Sequence, residues 1–414
     1  MRTVIGLGAL VVFMVGCGAA SKSAEPSAPA SGGYGGAPAA YASTPAAEES
    51  APSTGASAPG GMAVTAQPAA PPPPSPATAT AAGAAKKSEA IASADKDSSA
   101  KPASPIMKEP ERRAPLPQAG QLTAGVWDDN KNFDFFKPYL QKMSAQSQDN
   151  AMFGEQELVS ARNEFLQQQS PHNELDVQLL LDTTGSMGDE LAYLQSEFDH
   201  IAGQLKTRFP NVTPRWSLVV YRDKGDDYVT RSFDFTADTN RFRENLRAQS
   251  AAGGGDTPEA VVEGMTKGLA QSWRTANNVA KLSFWVADAP AHPGEGRALA
   301  AAVRDAKKKG VHVYPIASSD TDDQAEYQMR ATAQMTGGRY VFLTNDSGIG
   351  NSHAEPHIPC YNVTRLDNAI VRMISVELSG KYLEAESNQI VRQVGRPNKE
   401  GKCQLSSGML VASF

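Results

Sequence analysis

Between residues 175 and 343, short apolar runs alternate with longer amphipathic stretches, and no other feature narrows the possible folds as much. The runs cover residues 177–181, 218–221, 282–287, 311–316 and 340–343. The stretches between them, 189–208, 258–273, 297–309 and 323–335, carry apolar residues at helical spacing. A strand that is apolar on both faces has to be covered on both. Such strands alternating with helices predict an α/β fold: a doubly wound, mostly parallel, Rossmann-like sheet with helices on both faces. Residues 228–235 alternate in character and predict an antiparallel edge strand directly after 218–221. Leu366, Ile370, Met373 and Ile374 give residues 363–378 the stripe of an amphipathic helix, either closing this domain or standing apart from it. In open sheets of this kind ligands bind beyond the carboxyl ends of the strands.

The chain ahead of that region is built differently. Of the 28 prolines, 17 fall before residue 121. Residues 17–120 are Ala, Pro, Ser, Gly and Thr with few large apolar groups, so they cannot offset their ordering entropy and read as a disordered tether. Residues 71–74 form a locally stiff polyproline run. About 290 residues remain for a folded body. Trp127, Phe133, Phe135, Phe136 and Tyr139 surround Asp128-Asp129-Asn130, a density of aromatics that indicates packing. Phe153, Leu158, Ala161, Phe165 and Leu166 follow at mostly helical intervals. Residues 121–171 therefore read as a helical lead-in, 172–345 as the main domain and 346–414 as a C-terminal extension. A net charge of -6 with no basic face argues against nucleic acid as a partner.

At the N-terminus, Arg2 precedes an apolar core over residues 4–15 that is too short to span a bilayer. Met14-Val15-Gly16-Cys17 resembles the bacterial lipobox. The resemblance implies a signal peptide over 1–16, cleavage before Cys17 and a diacylglycerol anchor on its thiol. The alternative is an ordinary signal peptide with an incidental cysteine. Gly18, in place of an Asp, points to the outer membrane, on its periplasmic or surface face. With Cys17 lipidated, Cys360 and Cys403 are expected to pair in an oxidising compartment, the alternative being two buried thiols.

The strand ends are rich in oxygen. The first main strand runs into Asp182-Thr183-Thr184-Gly185-Ser186-Met187-Gly188. Side chains two apart in an extended turn point the same way, so Asp182, Thr184 and Ser186 can converge. Asp288 ends another strand, and Gly253-Gly254-Gly255-Asp256-Thr257-Pro258-Glu259 supplies a third loop in which the glycines allow close approach. Carboxylates and hydroxyls without Cys or His suit a hard divalent cation, Mg²⁺, Mn²⁺ or Ca²⁺. Taken singly, these residues also suit bland roles: Asp favours turns, and Thr184 or Ser186 would serve as a helix cap. His353, His357 and Cys360 have a spacing reminiscent of soft-metal ligation, but no fourth ligand is evident.

These phrases resemble the von Willebrand factor type A domain. Asp182-x-Thr184-x-Ser186 matches the Asp-x-Ser/Thr-x-Ser core of its metal-ion-dependent adhesion site (MIDAS), and Asp288 stands at the family's later Asp. Tyr221-Arg222-Asp223, the Gly-Gly-Gly-Asp-x-Pro-Glu-Ala phrase and Asp-Ala-Pro-x-His resemble a hemicentin-like bacterial branch, and the likeness covers roughly residues 172–345. It implies the doubly wound fold and a divalent cation held by Asp182, Thr184, Ser186 and Asp288. The middle loop departs from the family's usual Thr: Asp256 takes that place with Thr257 beside it, and either would complete the set. Asp223 is a candidate outer carboxylate, and His292 a candidate contact to a partner.

Three functions fit these residues. The first is a membrane-anchored binding module, not an enzyme. In it the cation accepts an acidic ligand from a protein or envelope partner. The second is a serine hydrolase with Ser186 as nucleophile, Asp288, and His292, His353 or His357 as base. Against it, the usual Gly two positions before the nucleophile is missing, and Asp182 would oppose a developing oxyanion. The third is a structural envelope lipoprotein with a degenerate metal site.

Overall fold

The computed structural model describes residues 120–146, 152–167, 170–255 and 257–414. The expected signal peptide, Cys17, nearly all of the tether and Asp256 lie outside the described residues.

The chain begins with β1 (Thr123–Trp127), α1 (Phe133–Gln146) and α2 (Glu155–Gln167). The wound region follows: β2 (Glu174–Asp182), α3 (Gly188–Arg208), β3 (Pro214–Tyr221), β4 (Thr230–Thr236), α4 (Thr239–Arg247), α5 (Val261–Leu269), β5 (Val279–Ala287), α6 (Gly296–Lys309), β6 (His312–Ala317), α7 (Asp323–Thr336) and β7 (Tyr340–Leu343). The chain ends with β8 (Tyr361–Arg365), α8 (Leu366–Ser379) and the short strands β9 (Arg392–Val394), β10 (Lys402–Gln404) and β11 (Leu410–Ala412). The main sheet has the order β4-β3-β2-β5-β6-β7-β1-β8-β9. Its centre, β3-β2-β5-β6-β7, is parallel, and β4 pairs antiparallel with β3 as the edge strand.

Strict alternation explains the two covered faces. Val177 and Leu181 of β2, with Leu282, Phe284 and Val286 of β5, pack against α3, α4 and α8. The intervening Leu180, Trp285 and Ala287 join the opposite core with α1, α2, α5, α6 and α7. Period-two side chains on strands buried both ways give this division directly.

The lead-in is more than helical. Helices α1 and α2 form, but residues 123–127 enter the sheet as β1, antiparallel to β7 and β8. A Cβ at Gly125 would overlap the Phe342 ring, so glycine is what allows β1 this close to its neighbour. The turn after β1 is pinned by buried charge. Asp129 takes Arg330 of α7 in a two-pronged grip at 3.0 and 2.7 Å, and Asp128 accepts from Arg339 at 3.0 Å. Trp127 donates to Asp129 at 2.8 Å and meets the Phe135 ring edge-on. The C-terminal extension is likewise part of the fold. It adds β8, α8 and β9 to the sheet and its cover, and a Cys360–Cys403 disulfide ties the start of β8 to β10. The first residues assigned to the expected last helix, 363–365, are strand, because Val363 and Thr364 are paired to β1.

Under the amino end of β6, His312 donates to Glu377 of α8 at 2.8 Å, and Tyr314 also donates to that carboxylate. Burial pushes the Glu377 carboxyl up, but His312, Tyr314 and Arg339 together outweigh burial and hold it at about 2. Burial pushes the His312 imidazole down, and Glu377 outweighs that and raises it.

Two stability predictions follow from these buried charges. Asp129→Ala leaves Arg330 buried with half its partners and should lower unfolding free energy by about 3–5 kcal/mol, read by urea titration. A loss under about 1 kcal/mol would contradict the anchoring role. For the second pair, the Glu377 contribution is present above its ordinary 4.5 and is lost as pH falls towards 2. The His312 contribution is present below its ordinary 6.5 and is lost as pH rises through the elevated folded value. Glu377→Gln should therefore destabilise most between those two ordinary values. A penalty independent of pH would contradict the charged pair.

Candidate metal centre

The sheet's winding sense reverses at β2. Chain order carries β2 outward to β3, while β5 lies on its other side, so the loops beyond β2 and β5 part and leave a crevice at their carboxyl ends. Asp182 is the last residue of β2 and is buried. Its Oδ1 accepts from the Thr184 backbone N–H at 2.9 Å and from the Thr184 hydroxyl at 2.8 Å. Thr184 Oγ1 is in turn 3.4 Å from Ser186 Oγ. Neither hydroxyl caps α3, whose N-cap position is Met187 with no side-chain bond. The two hydroxyls therefore stay with the crevice.

Asp288 follows β5 directly, and its carboxyl is raised by burial, an effect opposed by the Ser186 hydroxyl. The third loop is stitched against the β2 turn. Ala252 N donates to Thr183 O at 3.1 Å, and Gly185 N donates to Gly253 O at 3.0 Å. Gly253 and Gly254 have φ of 74° and 66°, the left-handed region where a side chain is strained. A Cβ on Gly254 would stand 3.1 Å from both Glu259 Oε1 and Thr184 Cβ. That loop therefore brings Glu259, not Thr257, into the crevice. Glu259 is 3% exposed, and its backbone N–H donates to Pro290 O at 3.0 Å, whereas Thr257 is exposed to solvent.

The electrostatics are one-sided. Asp182 Oδ2, Glu259 Oε2 and Asp288 Oδ1 are all buried with no hydrogen-bond partner. No ion pair among the described residues involves any of the three. The nearby cations are engaged elsewhere. Arg222 donates to the carbonyls of Thr183 and Ser250, and Lys224 bridges Glu263 and Glu295. Burial, then the charge of Asp288, pushes the Asp182 carboxyl up to about 7. Burial, then Asp182, Asp223 and Asp288, pushes Glu259 up to about 9. Like charges withdrawn from water disfavour their own ionisation, and a divalent cation reverses that. An all-oxygen donor set with unpartnered carboxylate atoms fits a hard cation, so the residues present suit the group that the fold implies.

The approach of Glu259 to the crevice leaves little trace in the sequence because it depends on the Gly253-Gly254 turn. Its one signal was its place in the Gly-Gly-Gly-Asp-x-Pro-Glu phrase. Asp223, also at a strand end, pairs with His292 at 2.6 Å, and Asp226 is turned inward to accept from Asp223 N and Gly254 N. The His353, His357 and Cys360 set is not brought together. Cys360 is in the disulfide, His353 lies between Ser319 and Asn345, and His357 pairs with Glu326.

Elsewhere among the described residues, Glu197, His200 and Asp367 bring ligand-type atoms within 4.8 Å of one another. Both carboxylates there are occupied. Glu197 accepts from Gly120 N and Gln121 N at 2.7 and 3.1 Å, and Asp367 takes His200 at 2.6 Å and Gln204 at 2.9 Å. This cluster clamps the entry to β1.

Residues 176–351 match the family model described as von Willebrand factor A domain. An ariadne-like RING finger protein of Acanthamoeba polyphaga mimivirus is 27% identical over an alignment of 187 residues that covers 41% of this chain. The chain spans 18% of that curated relative's length. Among solved structures, the pilus adhesin SpaC of Lactobacillus rhamnosus GG aligns at a TM-score of 0.33 and 12% identity, over 42% of this chain and 29% of its own. The conserved hypothetical protein BatB of Bacteroides thetaiotaomicron aligns at 0.33 and 15% identity, over 49% and 97%. Residues 176–351, from β2 to the loop beyond β7, are a von Willebrand factor A domain.

Proposed function

We propose that this chain is a binding module, not an enzyme, whose contact surface is organised by a hard divalent cation, Mg²⁺, Mn²⁺ or Ca²⁺. Asp182, Thr184, Ser186 and Asp288 would hold it, with Glu259 as a further carboxylate. The observation that carries this reading is the trio of buried carboxylate oxygens with no partner, on Asp182, Glu259 and Asp288. When bound, the cation supplies positive charge and a coordination position for an acidic group of a protein or envelope partner. Asp182 orients Thr184 through two hydrogen bonds, and Thr184 positions Ser186 at the solvent edge. Ser186 is exposed, so the open side of the site faces outward.

Glu259 adjusts how strongly such a partner is drawn. With it ionised, three carboxylates face a charge of two, and the pull on an incoming acid is weak. With it protonated, two carboxylates leave the cation able to attract one. The hydrolase reading lacks support at its base: Ser186 has Thr184 and Asp288 beside it, and no histidine among the described residues is hydrogen-bonded to its hydroxyl. We also propose a bacterial envelope location with a lipid anchor on Cys17, a reading to which the Cys360–Cys403 pair lends support as a bond of oxidising compartments.

Thermal unfolding of the full chain tests the metal. At a hundredfold excess over Kd, a divalent cation should add about 2.7 kcal/mol, a Tm rise of roughly 5–10 °C over the value in EDTA. Asp182→Ala should abolish the rise, and an unchanged Tm in the wild type would refute the site. Capture of an envelope protein by the full chain should vanish with EDTA and in the same variant. The cradle has its own test. Gly254→Ala adds a methyl at a left-handed position against Glu259 and Thr184 and should cost about 1–2 kcal/mol. Gly255→Ala, where a Cβ meets open space, should stay within about 0.5 kcal/mol.

A further inference from the structure

A cavity of about 400 Å³ opens beneath the amino ends of β5 and β6, at the opposite end of the strands from the carboxylate rim. Its volume lies in the range of small-ligand sites. Val279 and Val376 form part of its floor, and Phe165 and Leu166 of α2 face it together with Tyr382. Leu166 is 49% exposed, a state that among the described large apolar side chains only Val391 and Leu410 share.

The lining carries Lys131, Lys281, Arg339 and Lys381 against a single acid, Glu377, although the chain as a whole has a charge of -6. Helices α6, α7 and α8 all end here, at Gly310, Gly337 and Gly380 in the left-handed conformation. The partial negative charge of helix C-termini draws cations, so some of these groups serve the helices. Lys281 does so, donating to Lys309 O at 2.6 Å. Arg339 is paired with Asp128, and Glu377 is taken by His312 and Tyr314. Lys131 and Lys381 remain. Among the described residues neither makes an ion pair, and the Lys131 amine lies over the Tyr382 ring, 2.8 Å from its centre. Partial burial lowers the Lys131 amine to about 8, against the opposing charges of Asp128 and Glu384. Arg372, outside the lining, is 6% exposed with both terminal nitrogens unpartnered, and it shares the Phe414 ring with Arg339.

We propose that this cavity binds an amphipathic organic anion, its carboxylate met by Lys131 and Lys381 and its apolar body lying against Phe165, Leu166 and Tyr382. The site is independent of the metal centre. Two ammonium groups that make no ion pair among the described residues select a negatively charged head over a neutral one. Aromatic and aliphatic walls favour an alkyl or aryl body over a free inorganic anion.

The test is calorimetric titration of the full chain with octanoate, with octanol as the neutral counterpart. Octanoate should bind one per chain, more weakly at high salt and more tightly than octanol. Lys131→Glu with Lys381→Glu removes two charge contacts and should lower octanoate affinity about tenfold or more. Both lysines are exposed, so a cooperative melt near that of the wild type should persist. Leu166→Asp, at another exposed position, should weaken octanoate binding through the apolar wall and gives a second, separate reading. Equal binding of octanol, no saturable octanoate binding, or an affinity untouched by either variant would overturn the proposal. The divalent-cation Tm response should be the same in all of these proteins, so failure here leaves the metal reading standing, and the reverse holds too.

Discussion

Asp182, Asp288 and Glu259 hold like charge close together and away from water, and no cation among the described residues pairs with them. Such an arrangement raises the free energy of the metal-free fold, and it persists only because the surrounding backbone leaves the side chains nowhere else to go. Asp182 is anchored by a two-bond contact to Thr184, and Glu259 is held by a backbone bond to Pro290. The two flanking cores supply the needed rigidity, since β2 and β5 are packed from both sides along their whole length. A site of this kind is pre-organised: the unfavourable electrostatics are settled during folding, and the cation proposed for it would meet an arrangement that needs little rearrangement.

Much of the parallel centre was readable from the sequence, because a strand buried on both faces leaves a continuous apolar run. That holds for β2, β3, β5, β6 and β7, and for the long helices whose stripes face them. Elements held by something other than apolar pattern escaped. Helix α4 buries only Phe242 and Leu246, too short a stripe to register. Strand β1 is five residues with a glycine at its centre, and what holds it is the fit of Gly125 beneath Phe342 and two carboxylates reaching for α7 and the start of β7. The candidate site divides the same way. Asp182, Thr184 and Ser186 are near neighbours in the chain, so a local turn suffices to align them. Glu259 reaches the crevice through a left-handed glycine pair and a bridge to Ala291, neither of which leaves a pattern in one dimension.

The segments flanking the A domain complete its sheet. β1 enters from the N-terminal side and β8 and β9 from the C-terminal side, so the edge beyond β7 is built from residues outside the matched stretch. Helices α1 and α2 cover α7, whose residues from Ala325 to Thr336 are all buried. A helix enclosed on every side cannot slide without breaking the Arg330–Asp129 contact. That favours a static scaffold over one whose helices shift freely.

The position of β1 has a mechanical consequence. The strand lies inside the sheet, laddered to β7 on one side and β8 on the other, and its entry is gripped by Glu197 on the Gly120 and Gln121 amides and by Arg365 on the Gly120 carbonyl. Tension applied to the chain ahead of Gly120 runs along this strand and loads both ladders in shear, so their bonds must give way together. An edge strand pulled from its corner would instead peel one bond at a time. A body joined in this way to the chain ahead of it can be tugged from that end with the sheet remaining intact.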